Sequence, residues 1–223
     1  MARLEIACFS VESALIAQQA GAHRIELCAD RLAGGITPEF SVFEQVKAQV
    51  ELPIYVMIRP RGGNFVYTFA EFELMKHQML QFKEAGAHGF VFGCLTENGA
   101  IHPAQNKELV HLAHPLPCTF HRAFDEVENK ELGLQALIEF GFKSLLTAGD
   151  VGNAVNGIAA LQKLQAQAQG KITLLAGGGI RANRVRKLLT ETGLHWVHSS
   201  AITNGKEADV AEIKALLSVC QMA

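Results

Sequence analysis

Gly86-Ala87-His88-Gly89-Phe90-Val91-Phe92 decides the fold, because the chain writes the same unit again around it. Gly21-Ala-His-Arg-Ile-Glu-Leu27, Gly141-Phe-Lys-Ser-Leu-Leu-Thr147 and Gly193-Leu-His-Trp-Val-His-Ser199 share its form, a helix-ending glycine followed by a short apolar run. Glycine takes the left-handed conformation that closes a helix without a Cβ penalty, so each unit reads as the end of one helix and the start of one strand. The four glycines fall 65, 55 and 52 residues apart. One further apolar run precedes each unit, which together give eight strands: Leu4–Cys8, Arg24–Leu27, Ile54–Ile58, Phe90–Phe92, Cys118–His121, Ser144–Thr147, Ile172–Ala176 and Trp196–Ser199.

Helical patterns separate the strands, and a last one runs from about Val210. Thr68-Phe-Ala-Glu71 and Ser41-Val-Phe-Glu44 read as capping boxes, and Asp209-Val-Ala-Glu212 as an acidic variant. Phe72, Met75, Met79 and Phe82 recur at helical spacing and mark one apolar face. A fourfold (βα)2 period with eight strands predicts a single-domain α/β fold over residues 1–223, the (β/α)8 or TIM barrel. An open doubly wound sheet, with fewer strands and a reversal of strand order, is the alternative.

Composition narrows the function. Twenty basic against 22 acidic residues leave a formal charge of −2, which gives no basic field for nucleic acid or an anionic membrane. No stretch has the roughly 18 apolar residues of a membrane span. The N-terminus carries Glu5 where a signal peptide needs an apolar run, and the five cysteines are scattered with no CxxC pair. A cytoplasmic, reduced protein is the expectation.

In a barrel of this kind the strand ends build the working face. Side chains alternate along a strand, so Glu26 and Cys28 share one face, as do Met57, Arg59 and (if the strand continues) Arg61, and Thr119 and His121. Charge inside an apolar strand is costly unless it faces a polar lumen or a partner, which sends Glu26, Arg59 and His121 to the mouth. His121 is the candidate proton carrier, with Glu26 or Asp125 as its partner. Arg59 and Arg61 offer planar donors to a carboxylate or phosphate. Gly178 and Gly179, with Ser199 one strand later, suit an anion held by backbone N–H groups and a hydroxyl. A structural plug in which Glu26 pairs with Arg59, on a non-catalytic scaffold, is the plainer reading of the same charges.

Cys8 and Cys28 end adjacent strands and Cys94 follows the fourth, with Met57 near; soft sulfur donors suit Cu(I), although free cysteine more often fills a core. His111 and His114 fit an exposed helix face, and His198 is undecided by parity.

Longer strings carry a resemblance. Glu5-Ile-Ala-Cys8, Arg24-Ile-Glu-Leu-Cys28, Gly34-Gly-Ile-Thr-Pro38, Ile58-Arg-Pro-Arg-Gly-Gly63, Thr119-Phe-His-Arg-Ala-Phe-Asp125, Leu146-Thr-Ala-Gly149 and Val197-His-Ser-Ser200 resemble the CutC family across almost the whole chain. That resemblance implies a cytoplasmic barrel, described as a homodimer and named for copper homeostasis, with Cu(I) as its ligand and Cys8 and Cys28 as the matching donors. Against it stands a lyase- or isomerase-like enzyme using acid–base chemistry on a small anionic or phosphorylated metabolite. Ala201–Ala208 is shorter than the corresponding segment expected of relatives.

Overall fold

The computed structural model describes residues 1–150 and 152–222. Eight parallel strands, β1 (Arg3–Cys8), β2 (Arg24–Leu27), β3 (Ile54–Met57), β4 (Gly89–Phe92), β5 (Cys118–Phe120), β6 (Ser144–Thr147), β7 (Thr173–Ala176) and β8 (Trp196–Ser199), pair in chain order and close on themselves. Helices α1 (Val11–Ala20), α2 (Phe40–Gln49), α3 (Phe69–Glu84), α4 (Pro103–Ala113), α5 (Lys130–Phe140), α6 (Ile158–Ala168), α7 (Ala182–Thr192) and α8 (Val210–Met222) alternate with them, and a 3-10 turn at Arg122–Glu126 follows β5. This is the (β/α)8 barrel expected from the repeat. No helix among the described residues is long and apolar enough to cross a membrane.

The repeat glycines do the work that their spacing predicts. Gly21, Gly86, Gly141 and Gly193 all take positive φ at the end of a helix. Outward strand residues such as Leu4, Ile6, Ile25, Leu27, Ile54 and Val56 join Phe72, Met75, Met79 and Phe82 of α3 in one buried layer between strands and helices. That layer carries most of the hydrophobic driving force.

Two of the three expected caps need amendment. Thr68 and Glu71 form a reciprocal box, with Oγ1 of Thr68 accepting from the N–H of Glu71 and Oε2 of Glu71 accepting from that of Thr68. Ser41 does not cap α2, which starts at Phe40; the contacts of Phe40 with Phe43 and Phe82 carry the chain into the helix ahead of Ser41. Asp209 caps α8 through Oδ1, but Glu212 turns to the neighbouring helix and accepts the N–H of Ala182 at the head of α7.

Candidate functional site

The parallel register builds the lumen in layers. Glu5 of β1 lies level with Arg24 of β2 on one side and His198 of β8 on the other. Arg24 pairs with Glu5 through Nε, and its guanidinium is sandwiched by Tyr55 at 4.0 Å and Trp196 at 4.5 Å. On the opposite side Nδ1 of His198 stands 2.7 Å from Oε1 of Glu5, while its Nε2 lies 3.8 Å from Oε2 of Glu26. Burial raises the Glu5 carboxyl, but Arg24 and His198 outweigh it and hold its pKa down to about 2. Burial disfavours charged His198, yet Glu26 and Glu5 keep its pKa above the ordinary imidazole value. Glu26 is pushed up by burial, against the pull of His198.

One layer nearer the mouth, Ala7, Glu26 and Tyr55 share a level, and Gly89 beside them is small because a Cβ there would meet the Tyr55 ring at 2.7 Å. The cavity above has a volume of about 260 Å³. Its walls include Glu26, Cys28, Met57, Arg59, His121 and His198, with the rim completed by Arg122, Arg181 and the turn Gly178–Gly179. Sγ of Cys28 donates to Oε2 of Glu26 at 3.2 Å, while Oε1 of Glu26 is buried without a partner among the described residues. Arg59 spends its terminal nitrogens on the carbonyls of Ala33, Gly35 and Gly63, and its guanidinium lies 4.7 Å from the Phe65 ring. His121 packs against Phe65, and its Nδ1 accepts the N–H of Ala123 at 3.3 Å. Burial and the Arg59 charge push its pKa down to about 3, so the ring is neutral at physiological pH.

The structure therefore brings Glu26, Cys28, Arg59 and His121 to one cavity, as parity anticipates, together with Gly178 and Gly179 of the turn after β7. It does not bring the others there in the expected roles. Arg61 lies past the end of β3, where alternation stops; it pairs with Glu71 and with the carbonyls of Gly62, Asn64 and Val66, bracing the loop into α3. Asp125 is no partner of His121: its carboxylate takes Nε of Arg122, Oγ1 of Thr147 and the N–H of Ala148, which ties the 3-10 turn to the end of β6. Ser199 lines the cavity, but its hydroxyl donates to the Ile180 carbonyl and accepts from the N–H of Ala201, so it fastens the β7 turn to β8. Cys8 belongs to the outer core layer and Cys28 to a lumenal group with Tyr55, Met57 and Val91. The two thiols thus lie on opposite faces of the barrel wall. The expected Glu26–Arg59 plug is replaced by the deeper Glu5–Arg24 pair.

The sequence reading passed over Glu5 and Arg24 and left His198 open. Parity counted inward from Glu26 would have found Arg24, and the alternation Glu5, Ala7, Phe9 would have found Glu5. Fixing His198 needs the register that closes β8 on β1. Glu5, Glu26 and His198 also bring ligand atoms within 4.8 Å of one another. A divalent cation there would face the Arg24 guanidinium that already neutralises Glu5. Chemically the cavity offers buried proton-carrying groups at its floor and three arginines near its mouth.

A family model described as the CutC family matches residues 2–203, ending in the segment after β8. A CutC family protein of Photorhabdus laumondii is 45% identical over 201 residues, covering 90% of this chain and 80% of that protein. The copper homeostasis protein cutC homolog of Homo sapiens is 42% identical over 198 residues, 89% of this chain and 72% of that one. Among solved structures, the CutC protein of Streptococcus agalactiae superposes with a TM-score of 0.86 at 29% identity, covering 91% of this chain and all of that one.

Proposed function

The chain belongs to the CutC family, and from that premise we propose that its barrel mouth is an acid–base site for a small anionic metabolite. The observation that carries this reading is Glu26, whose buried Oε1 has no partner among the described residues while its other oxygen lies beside His198. A buried carboxylate with a raised pKa in a cleft is what proton transfer near neutral pH requires. The rim suits the anion: the Arg122 guanidinium packs over Gly178, and Gly178 and Gly179 turn through positive φ beside it. Lyase- or isomerase-like proton transfer is the reaction class; among the described residues no lysine lines the cavity to form a Schiff base.

Titrating the protein with inorganic phosphate and a panel of small phosphorylated acids and sugars, read by thermal shift, tests it. A ligand that raises the melting temperature should lose that effect in Arg122→Ala. No stabilisation by any anion would end the reading.

Copper homeostasis, the role named for the mammalian relatives, is the broad role that family membership supports. A second reading makes Cu(I) a cargo. Cys8 and Cys28 do not fit as a pair, because they lie on opposite faces of the wall. Cys28 with the thioether of Met57 does fit, as both belong to one lumenal group and soft sulfur suits Cu(I). Burial and Glu26 raise the Cys28 thiol pKa, so Cu(I) would have to displace a proton. All five cysteines are free thiols, in keeping with the cytoplasmic location expected from the sequence. Titration with Cu(I) against a competing chelator should show binding that Cys28→Ser weakens. An unchanged affinity would exclude this site.

A further inference from the structure

We infer that the substrate is an α-hydroxy carbonyl compound of a few carbons with an anionic end, enolised between Glu26 as the base and His121 as a neutral donor to its carbonyl oxygen. This rests on the acid–base reading above and deepens it.

The argument starts from how His121 is held. The N–H of Ala123 donates to Nδ1, so the proton of the neutral ring is on Nε2. The ring packs between Phe65, at 4.8 Å, and Gly93, where a Cβ would lie 2.7 Å from Nδ1. Its position and tautomer are therefore both set by the fold. Nε2 is buried and has no partner among the described residues. Burial and Arg59 keep the ring from accepting a second proton. Such an imidazole is a donor of fixed direction, able to polarise a carbonyl in the cavity and to stabilise the oxyanion that follows. Glu26 supplies what His121 cannot, a carboxylate oxygen in the same cavity with no partner among the described residues.

The step balances without a co-reactant. Glu26 removes the proton from the carbon bearing the hydroxyl, and that C–H pair becomes the carbon–carbon double bond. The carbonyl π pair moves onto oxygen, where the Nε2–H and the Arg59 charge meet it. Glu26 then returns its proton to the neighbouring carbon, the hydroxyl proton passes between the two oxygens through Nε2, and substrate and product are isomers. The volume of about 260 Å³ restricts the substrate to a few carbons, since it lies below the roughly 300–1,000 Å³ of pockets for drug-sized ligands.

Calorimetric titration with phosphoglycolohydroxamate, a planar enediolate mimic, and with glycerol phosphate, which has the same anionic end without it, tests the inference. The hydroxamate should bind about a hundredfold more tightly, as expected for a mimic of the reacting state. That preference should vanish in His121→Phe. Equal affinities would overturn enolisation and leave the anion reading standing; failure of both ligands, and of inorganic phosphate, would remove the anion reading and this inference with it. Nitrogen-15 NMR of the wild type supplies a readout that needs no variant: His121 should be the neutral Nε2–H tautomer from pH 5 to pH 8 (a window about the ordinary His range). An imidazolium or an Nδ1–H form there would overturn the assignment.

Discussion

His198 and Glu5 meet across the seam that closes the barrel: they are register partners of β8 and β1, and Nδ1 of His198 lies 2.7 Å from Oε1 of Glu5. The same carboxylate neutralises Arg24 on its other side. One fully buried acid thus holds Arg24 on one side and His198 on the other, tying three strands together beneath the cavity.

Removing that acid should be costly. Glu5→Gln leaves Arg24 buried with its ion pair broken, and is expected to lower stability by about 3–5 kcal/mol. Urea denaturation of the variant measures it. The double variant Glu5→Gln, Arg24→Met should recover part of the loss, because the Arg24 charge is then no longer buried without its partner.

Stability should fall with acid in two overlapping windows. The His121 imidazole takes a proton near 6.5 when unfolded but only near 3 when folded. Between those values the unfolded chain binds more protons, so stability drops as pH drops, by about 1.4 kcal/mol per pH unit when one proton separates the states. Glu5, depressed from 4.5 to about 2, contributes stability that is full above 4.5 and is lost as pH falls towards 2. Denaturation curves from pH 7 to pH 5 carry the first window together with His23 and His88, lowered likewise, and His198, raised and opposite in sign. His121→Gln should make them less steep than the wild type's.

The two thiols should separate by effect. Cys8→Ser puts a hydroxyl into the apolar layer between strands and helices and is expected to cost about 1–3 kcal/mol, with Cu(I) affinity unchanged. Cys28→Ser should do the reverse, weakening Cu(I) with a smaller loss of stability. Paired chelator titrations and melting curves check both.

The turn after β7 offers a similar contrast. Ser199→Ala removes a hydroxyl that joins the Ile180 carbonyl to the Ala201 N–H and should cost about 1–2 kcal/mol while leaving anion affinity largely intact. Gly178→Ala strains a backbone at φ +101° and places a Cβ 3.1 Å from the Arg122 guanidinium. It should weaken phosphate binding as well, which a thermal-shift titration with phosphate will show.

The fold and much of the cavity wall could be read from the chain alone. Alternation is a local property of a strand, so Glu26, Cys28, Met57 and Arg59 declared their common face without coordinates. The reading failed where that local property ends. Arg61 lies beyond β3 and turns to Glu71, and Asp125 lies in a turn from which its carboxylate reaches Arg122 and the hydroxyl of Thr147 and N–H of Ala148 at the end of β6. Ser199 was placed correctly along β8, but the use of its hydroxyl depends on Ile180 and Ala201.

By itself the sequence determined the eight strands, the glycine-ended helices and the end of the barrel that carries the polar groups, since periodicity and helix termination act over a few residues. Only the tertiary structure decided that Glu5, Arg24 and His198 form one buried layer, that Cys8 and Cys28 face opposite ways, and that His121 is neutral. Those outcomes depend on strand register, on closure of β8 against β1 and on desolvation, each set by groups far apart in the chain.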